Sequence, residues 1–196
     1  MLSSARPSQT EGRSVTTTDR LPELVFAKIN EQIELLGGIV KHVPAGSTNW
    51  TPDLPLASFP QPKCLGAVLG HLLQCLAGFV AVLHAAHPED LSHFLKLKER
   101  PVNHICEPDE ALERISEYQR TIRSGFLLLN QSDLARNIPT VFAPEGESVL
   151  TLLLGNLEHL VNHKHELFFY LKLRGVPLTS RDLYVFREVS ANRQTA

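Results

Sequence analysis

Four stretches of the chain carry apolar residues at alternating three- and four-residue spacing, the period of a helix with one buried face. The first is predicted over Leu21 to His42, with Phe26, Ile29, Ile33, Leu36 and Val40 as its stripe. Gly37 and Gly38 weaken its last turns, and Pro44 cannot continue it. The second is predicted over Lys63 to Ala86, opened by Pro62 and stopped by Pro88. The third runs from Pro108 to about Leu129 on Leu112, Ile115, Tyr118, Ile122 and Phe126. Glu107, Asp109 and Glu110 crowd its first turn, where the helix dipole favours acidic groups. The fourth runs from Ser148 to Arg174 on Leu153, Leu157, Leu160, Leu167 and Leu171, with Gly175 as a stop signal and Pro177 beyond it.

The intervals are less regular. Residues 45–62 hold Pro52, Pro55, Pro60 and Pro62, too much proline for helix interior or central strand. Trp50 is expected to pack this loop over one end of the domain. A short helix is predicted at Asp90–Lys98, and Asn130 to Glu147 is read as a second long loop with room for a short extended piece. Both long loops are expected to cover the end that holds the candidate site. Residues 1–20 and 188–196 read as tails, and Leu183, Tyr184 and Phe186 as a docked extension. With no strand ladder and no internal repeat, the fold class is all-α: one four-helix bundle over 21–187.

Composition narrows the function. A net charge of −2 over 196 residues argues against a nucleic-acid partner. Cys64, Cys75 and Cys106 follow no metal-type spacing, and an odd, low count fits a reducing, cytoplasmic setting. They read as small buried fillers, with Cys75 drawing notice because it lies one turn from His71. The N-terminus has no apolar signal core. The apolar run Cys64–Ala86 contains His71, Gln74 and His84, which favours a buried bundle helix over a membrane span.

The candidate chemistry is carried by histidines. His159 and His163 lie four apart on the flank of the fourth helix, on one face, so both imidazoles can grip one ion. Leu152, Asn156 and Tyr170 share that flank, and His165 points about 200° away from His163. Glu166 and Tyr170 stand one and two turns past His163, within reach of a site. The third donor is His71, centred on a second-helix face of small residues: Cys64, Ala67, Cys75, Gly78 and Val82 fall within about 40° of it. Three protein donors leave positions open for water or substrate, the mark of a catalytic rather than a structural site. The competing reading makes the pair a polar flank and His71 a hydrogen-bonded core residue. His42, His84, His87, His93, His104 and His165 read as surface or loop residues. There is no His-Glu-x-x-His, no Glu-x-x-His on these helices, no phosphate loop and no Gly-x-Ser-x-Gly elbow.

The fourth helix resembles the signature helix of the DinB/YfiT-like superfamily of metal-dependent enzymes. That family shows a His-x-x-x-His pair, a basic residue, a Gln or similar group, then a Tyr-Leu-rich run closing on Gly. Here His159 and His163 form the pair, Lys164 follows, Glu166 replaces Gln, and Tyr170 to Gly175 completes the run. Leu69-Gly70-His71-Leu72 resembles the family's second-helix histidine segment. The resemblance spans roughly residues 20 to 187, although only these two segments are specific. It implies an up-down-down-up bundle, often a homodimer, with a divalent metal on His71, His159 and His163, zinc or nickel most commonly and iron as a third choice. It further implies thiol-dependent transfer or isomerisation with bacillithiol, mycothiol or glutathione, the metal holding the thiol as thiolate for attack on an electrophile. Glu166 and the proline-rich loop depart from the pattern and bear on how a thiol is bound, not on the metal donors. The expected function is thus a thiol S-transferase or metal-assisted hydrolase acting on small molecules, away from membranes. The alternative is a non-catalytic metal-binding or stress-linked bundle acting as an oligomeric interaction protein.

Overall fold

The computed structural model describes residues 20–53, 63–140 and 144–185. The four long helices are α1 (Leu21–Val40), α2 (Leu65–Ala86), α4 (Pro108–Phe126) and α6 (Val149–Leu173). Each lies within two or three residues of its predicted bounds. The predicted 90–98 helix is a 3-10 turn, Ser92–Phe94, running into α3 (Leu95–Lys98). Phe186, Pro55, Pro60, Pro62 and nearly all of both predicted tails lie outside the described residues.

Local signals account for the ends. Pro108 opens α4, with Asp109 and Glu110 in its first turn. The Ser148 hydroxyl accepts from the Thr151 amide at 3.0 Å and caps α6. Gly175, at φ 86°, stops that helix in the left-handed region that glycine adopts without strain.

Helix directions follow from side-chain pairs. Phe26 meets Phe126, ring centroids 5.3 Å apart, and Gln119 donates to Asn30 at 2.9 Å, so α1 and α4 are antiparallel. The Cys106 amide donates to Gly66 O near the start of α2, and Gly125 lies against Leu83 near its end, so α2 and α4 are parallel. His71 meets His163, and Gly78 meets the earlier Asn156, so α2 and α6 are antiparallel. The result is up-down-down-up. Around the bundle, α1 and α2 each pack against α4 and α6.

The core fills the space between them. Ile29, Ile33 and Leu36 from α1 meet Leu69, Leu72, Leu76 and Phe79 from α2. Tyr118 and Ile122 from α4 and Leu153, Leu160, Leu167 and Leu171 from α6 complete it. Each such aliphatic side chain contributes about 1.5–3 kcal/mol on burial. Helix α2 is long and apolar enough to cross a membrane, but 67% of its most apolar window is buried within this core.

Three expectations fail. The 130–147 interval is not all loop: besides the expected extended piece, seen as β1 (Asn137–Ile138) paired with β2 (Glu147–Ser148), it holds a helix, α5 (Gln131–Ala135), with Asn130 and Asp133 as a capping box. Nor does it cover the histidine end. His87, capping α2, pairs with Asp133 at 3.2 Å, which places the interval at the opposite end, and residues 101–107 cover the histidines instead. Tyr184 is exposed, because α7 (Ser180–Leu183) ends at Leu183, and only Leu183 of the described pair turns inward.

Candidate metal centre

Helix α6 holds His159 and His163 one turn apart on the flank that faces α2. Their partner there is His71. Its Nε2 lies 3.2 Å from Nε2 of His159 and 3.0 Å from Nε2 of His163. All three donor atoms fall within 4.8 Å of one another. The rings stand edge to face, with interplanar angles of 72°, 84° and 73°, so none stacks on another.

The outward nitrogens are each engaged. Nδ1 of His163 lies 2.6 Å from a Glu166 carboxylate oxygen. Nδ1 of His71 lies 2.8 Å from Asn103 Oδ1. Nδ1 of His159 lies 3.8 Å from Cys75 Sγ. A carboxylate and an amide oxygen only accept, so His163 and His71 carry their hydrogens on Nδ1. In the neutral form of both rings, their Nε2 atoms present lone pairs to each other. A cation relieves that arrangement. Tetrahedral zinc with nitrogens at its usual distance spaces them by about 3.3 Å, and an octahedral face by about 2.9 Å. The observed separations fall between the two. The donor set is therefore one that a divalent metal fits, and each donor is backed by the kind of partner that orients metal-bound imidazoles.

No protein-family model and no curated protein matches the chain. Among solved structures it is similar to the crystal structure of a DinB-like protein, YjoA, from Bacillus subtilis. The match has a TM-score of 0.58 at 14% identity, over 79% of this chain and 96% of that one. The fold is DinB-like.

Within the DinB-like bundle, burial supplies the electrostatics. Desolvation lowers the pKa of His71 most, opposed by its bond to Asn103 and reinforced by His163. Burial, then the imidazoles of His163 and His71, lowers that of His159. Both stay neutral, the ligand form, at neutral pH. The bond from His163 holds Glu166 below the usual carboxylate range. Tyr170 donates its hydroxyl to Glu166, and its ring meets Trp50 edge-on at 6.1 Å. Trp50 thus closes the first loop over this end, as its position in the sequence predicted.

The remaining histidines stay apart from the cluster. His165 sits against Tyr184, His93 against Phe94, and His42 is exposed. Two features escaped the sequence reading. Lys164 is almost completely buried, donating to Gln32 Oε1 at 2.6 Å and Leu183 O at 3.0 Å, and burial lowers its pKa to about 8. The second is a trio of His104, Cys106 and Glu110, also within 4.8 Å of one another. The spacing His-x-Cys-x-x-x-Glu spans a loop and a helix start, so no single periodicity exposes it.

Proposed function

We propose that His71, His159 and His163 hold one divalent metal, zinc or nickel before iron, in a protein that activates a low-molecular-weight thiol or water for transfer to, or hydrolysis of, a small electrophilic substrate. The observation that carries this reading is the convergence of three Nε2 atoms, those of His71 and His163 3.0 Å apart, while Nδ1 of the same two rings meets the acceptors Asn103 Oδ1 and Glu166. A bound ion supplies Lewis-acid chemistry and lowers the pKa of a thiol or water that shares it. The chain's own residues orient the rings: Asn103 and Glu166 accept at Nδ1 of His71 and His163 and leave Nε2 facing the cluster. In transfer, the thiol sulfur bonds to the electrophilic carbon, the leaving group departs with its bonding pair, and the thiol proton neutralises it.

Glu166 and Cys75 were the candidates for closing the coordination sphere. Both face the Nδ1 side of their histidines, away from the Nε2 atoms, which supports an open position and a catalytic reading over a structural metal. Elemental mass spectrometry of tag-free protein tests the proposal. One zinc, nickel or iron per chain, absent from His71→Ala and His159→Ala, supports it and directs a screen of thiols against electrophiles. No metal, even after incubation with zinc or nickel, overturns it. A stoichiometric metal with no thiol- or water-dependent turnover supports the non-catalytic bundle instead.

A further inference from the structure

Residues 103–106 lie on α2 more closely than side chains allow. A Cβ on Gly70 would come within 1.9 Å of His104 O, and one on Gly66 within 2.7 Å of the Ile105 side chain. Two backbone bonds fix the approach, Asn103 N to Gly70 O and Cys106 N to Gly66 O, each 3.0 Å. At the point of contact Asn103 takes φ 60°, the one positive value outside glycine among the described residues. Asparagine tolerates this region better than most residues. The consequence is that its Oδ1 reaches Nδ1 of His71.

The far side of the same segment is anchored to α4. The Glu110 carboxylate accepts from His104 Nε2 at 3.0 Å and lies 3.5 Å from the Arg114 guanidinium, while the Cys106 thiol donates to Glu107 O at 3.4 Å. Arg114 is 1% exposed and donates to Pro101 O and to the Tyr118 hydroxyl at 3.1 Å. Thr48 donates to Glu107 at 2.8 Å, tying the first loop to the same place. The imidazole and the guanidinium thus meet one carboxylate, so Glu110 already has its positive charge from Arg114, while His104 Nδ1 and Arg114 Nε are buried without a partner.

We infer that Asn103 is a positioning residue for the metal centre, fixing His71 with its hydrogen on Nδ1 and its Nε2 bare, and that Glu110 is the latch that holds the Asn103–Cys106 segment against the glycine face of α2. The inference rests on the three-histidine reading for its purpose, but the tautomer of His71 can be read without metal. The test compares Asn103→Gly, which keeps the positive φ and loses only the amide, with Asn103→Asp, which restores an acceptor. Long-range nitrogen–proton NMR on metal-free protein reports the tautomer. Cobalt binding, followed by its visible spectrum and by competition with a chelator, reports the affinity.

Loss of the fixed Nδ1–H state of His71 is expected in Asn103→Gly, with cobalt affinity down about 10–100-fold, as for other partners of metal-binding histidines. Asn103→Asp restores both. Glu110→Ala speeds hydrogen exchange of the Asn103 and Cys106 amides and weakens cobalt binding by a smaller factor. An Asn103→Gly protein with the parent's tautomer and affinity overturns the inference. A parent protein that fixes the tautomer through Asn103 yet takes up no cobalt overturns the metal reading and leaves the positioning role standing.

Discussion

Two trios of metal-capable side chains stand on opposite flanks of one four-residue segment, and they are chemically unlike. His71, His159 and His163 turn their Nε2 atoms toward each other. In the second trio His104 donates to the Glu110 carboxylate and the Cys106 thiol donates to Glu107 O. Both satisfy the same distance criterion, 4.8 Å between donor atoms. Only the first consists of imidazole nitrogens alone, with no charged side chain among the three. The second already holds its positive charge in the Arg114 guanidinium and its hydrogens in the thiol and imidazole. The difference teaches that a metal site is recognised by where its protons are, and a count of donor atoms does not reveal this.

The most decisive way to break the comparison is stoichiometry. Alanine at His71, His159 or His163 is expected to take bound metal from one ion per chain to near zero, with helical circular dichroism retained because four apolar stripes hold the bundle. Cys106→Ala is expected to leave the ion in place. A second ion that vanishes with Cys106 would erase the distinction. Next in size is Glu166. Glu166→Ala is expected to weaken metal binding about 10–100-fold by freeing the His163 ring. Glu166→Gln keeps an acceptor on the Nδ1–H and is expected to lose less, read by chelator competition. Gly70→Ala drives a Cβ into His104 O, and is expected to lower stability by about 1–3 kcal/mol in chemical denaturation while weakening metal binding through Asn103. Gly155→Ala, where a Cβ meets nothing within 4 Å, is the control and gains up to about 1 kcal/mol of helix propensity.

The sequence disclosed what periodicity carries. Four stripes and their proline and glycine stops located the long helices, and the four-residue spacing of His159 and His163 put both on one flank. His71 stood out because its helix face is otherwise small and apolar. The orienting groups divide by distance along the chain. Glu166 is one turn from its histidine and was visible. Asn103 is 32 residues from His71 and reaches it through a positive φ and a glycine contact that no pattern encodes. The burial of Lys164 was not legible for a related reason: a long side chain can bury its charge when a carbonyl and an amide oxygen from distant segments meet it. Loop placement failed too, since loop length does not say which end a loop covers.

The smallest effect separates the trios by the proton on Cys106. Burial, reinforced by the Glu110 carboxylate and opposed by Arg114, pushes this thiol up to about 12. In the unfolded chain it titrates near its ordinary value of about 8.5. Between those values the folded protein keeps a proton that the unfolded chain has lost, so stability falls as pH rises through the window and is fully present below it. The difference in unfolding free energy between the parent protein and Cys106→Ala is therefore expected to be flat up to about pH 8.5 and then to shrink by at most about 1.4 kcal/mol per unit. Thiolate absorbance in the folded protein should show no contribution from Cys106 at pH 8, whereas Cys106→Ala would lower that absorbance if the residue were a metal-bound thiolate. A difference curve that instead rises with pH up to about 8.5 and is flat above it, accompanied by that absorbance, would move His104, Cys106 and Glu110 into the class of the three histidines.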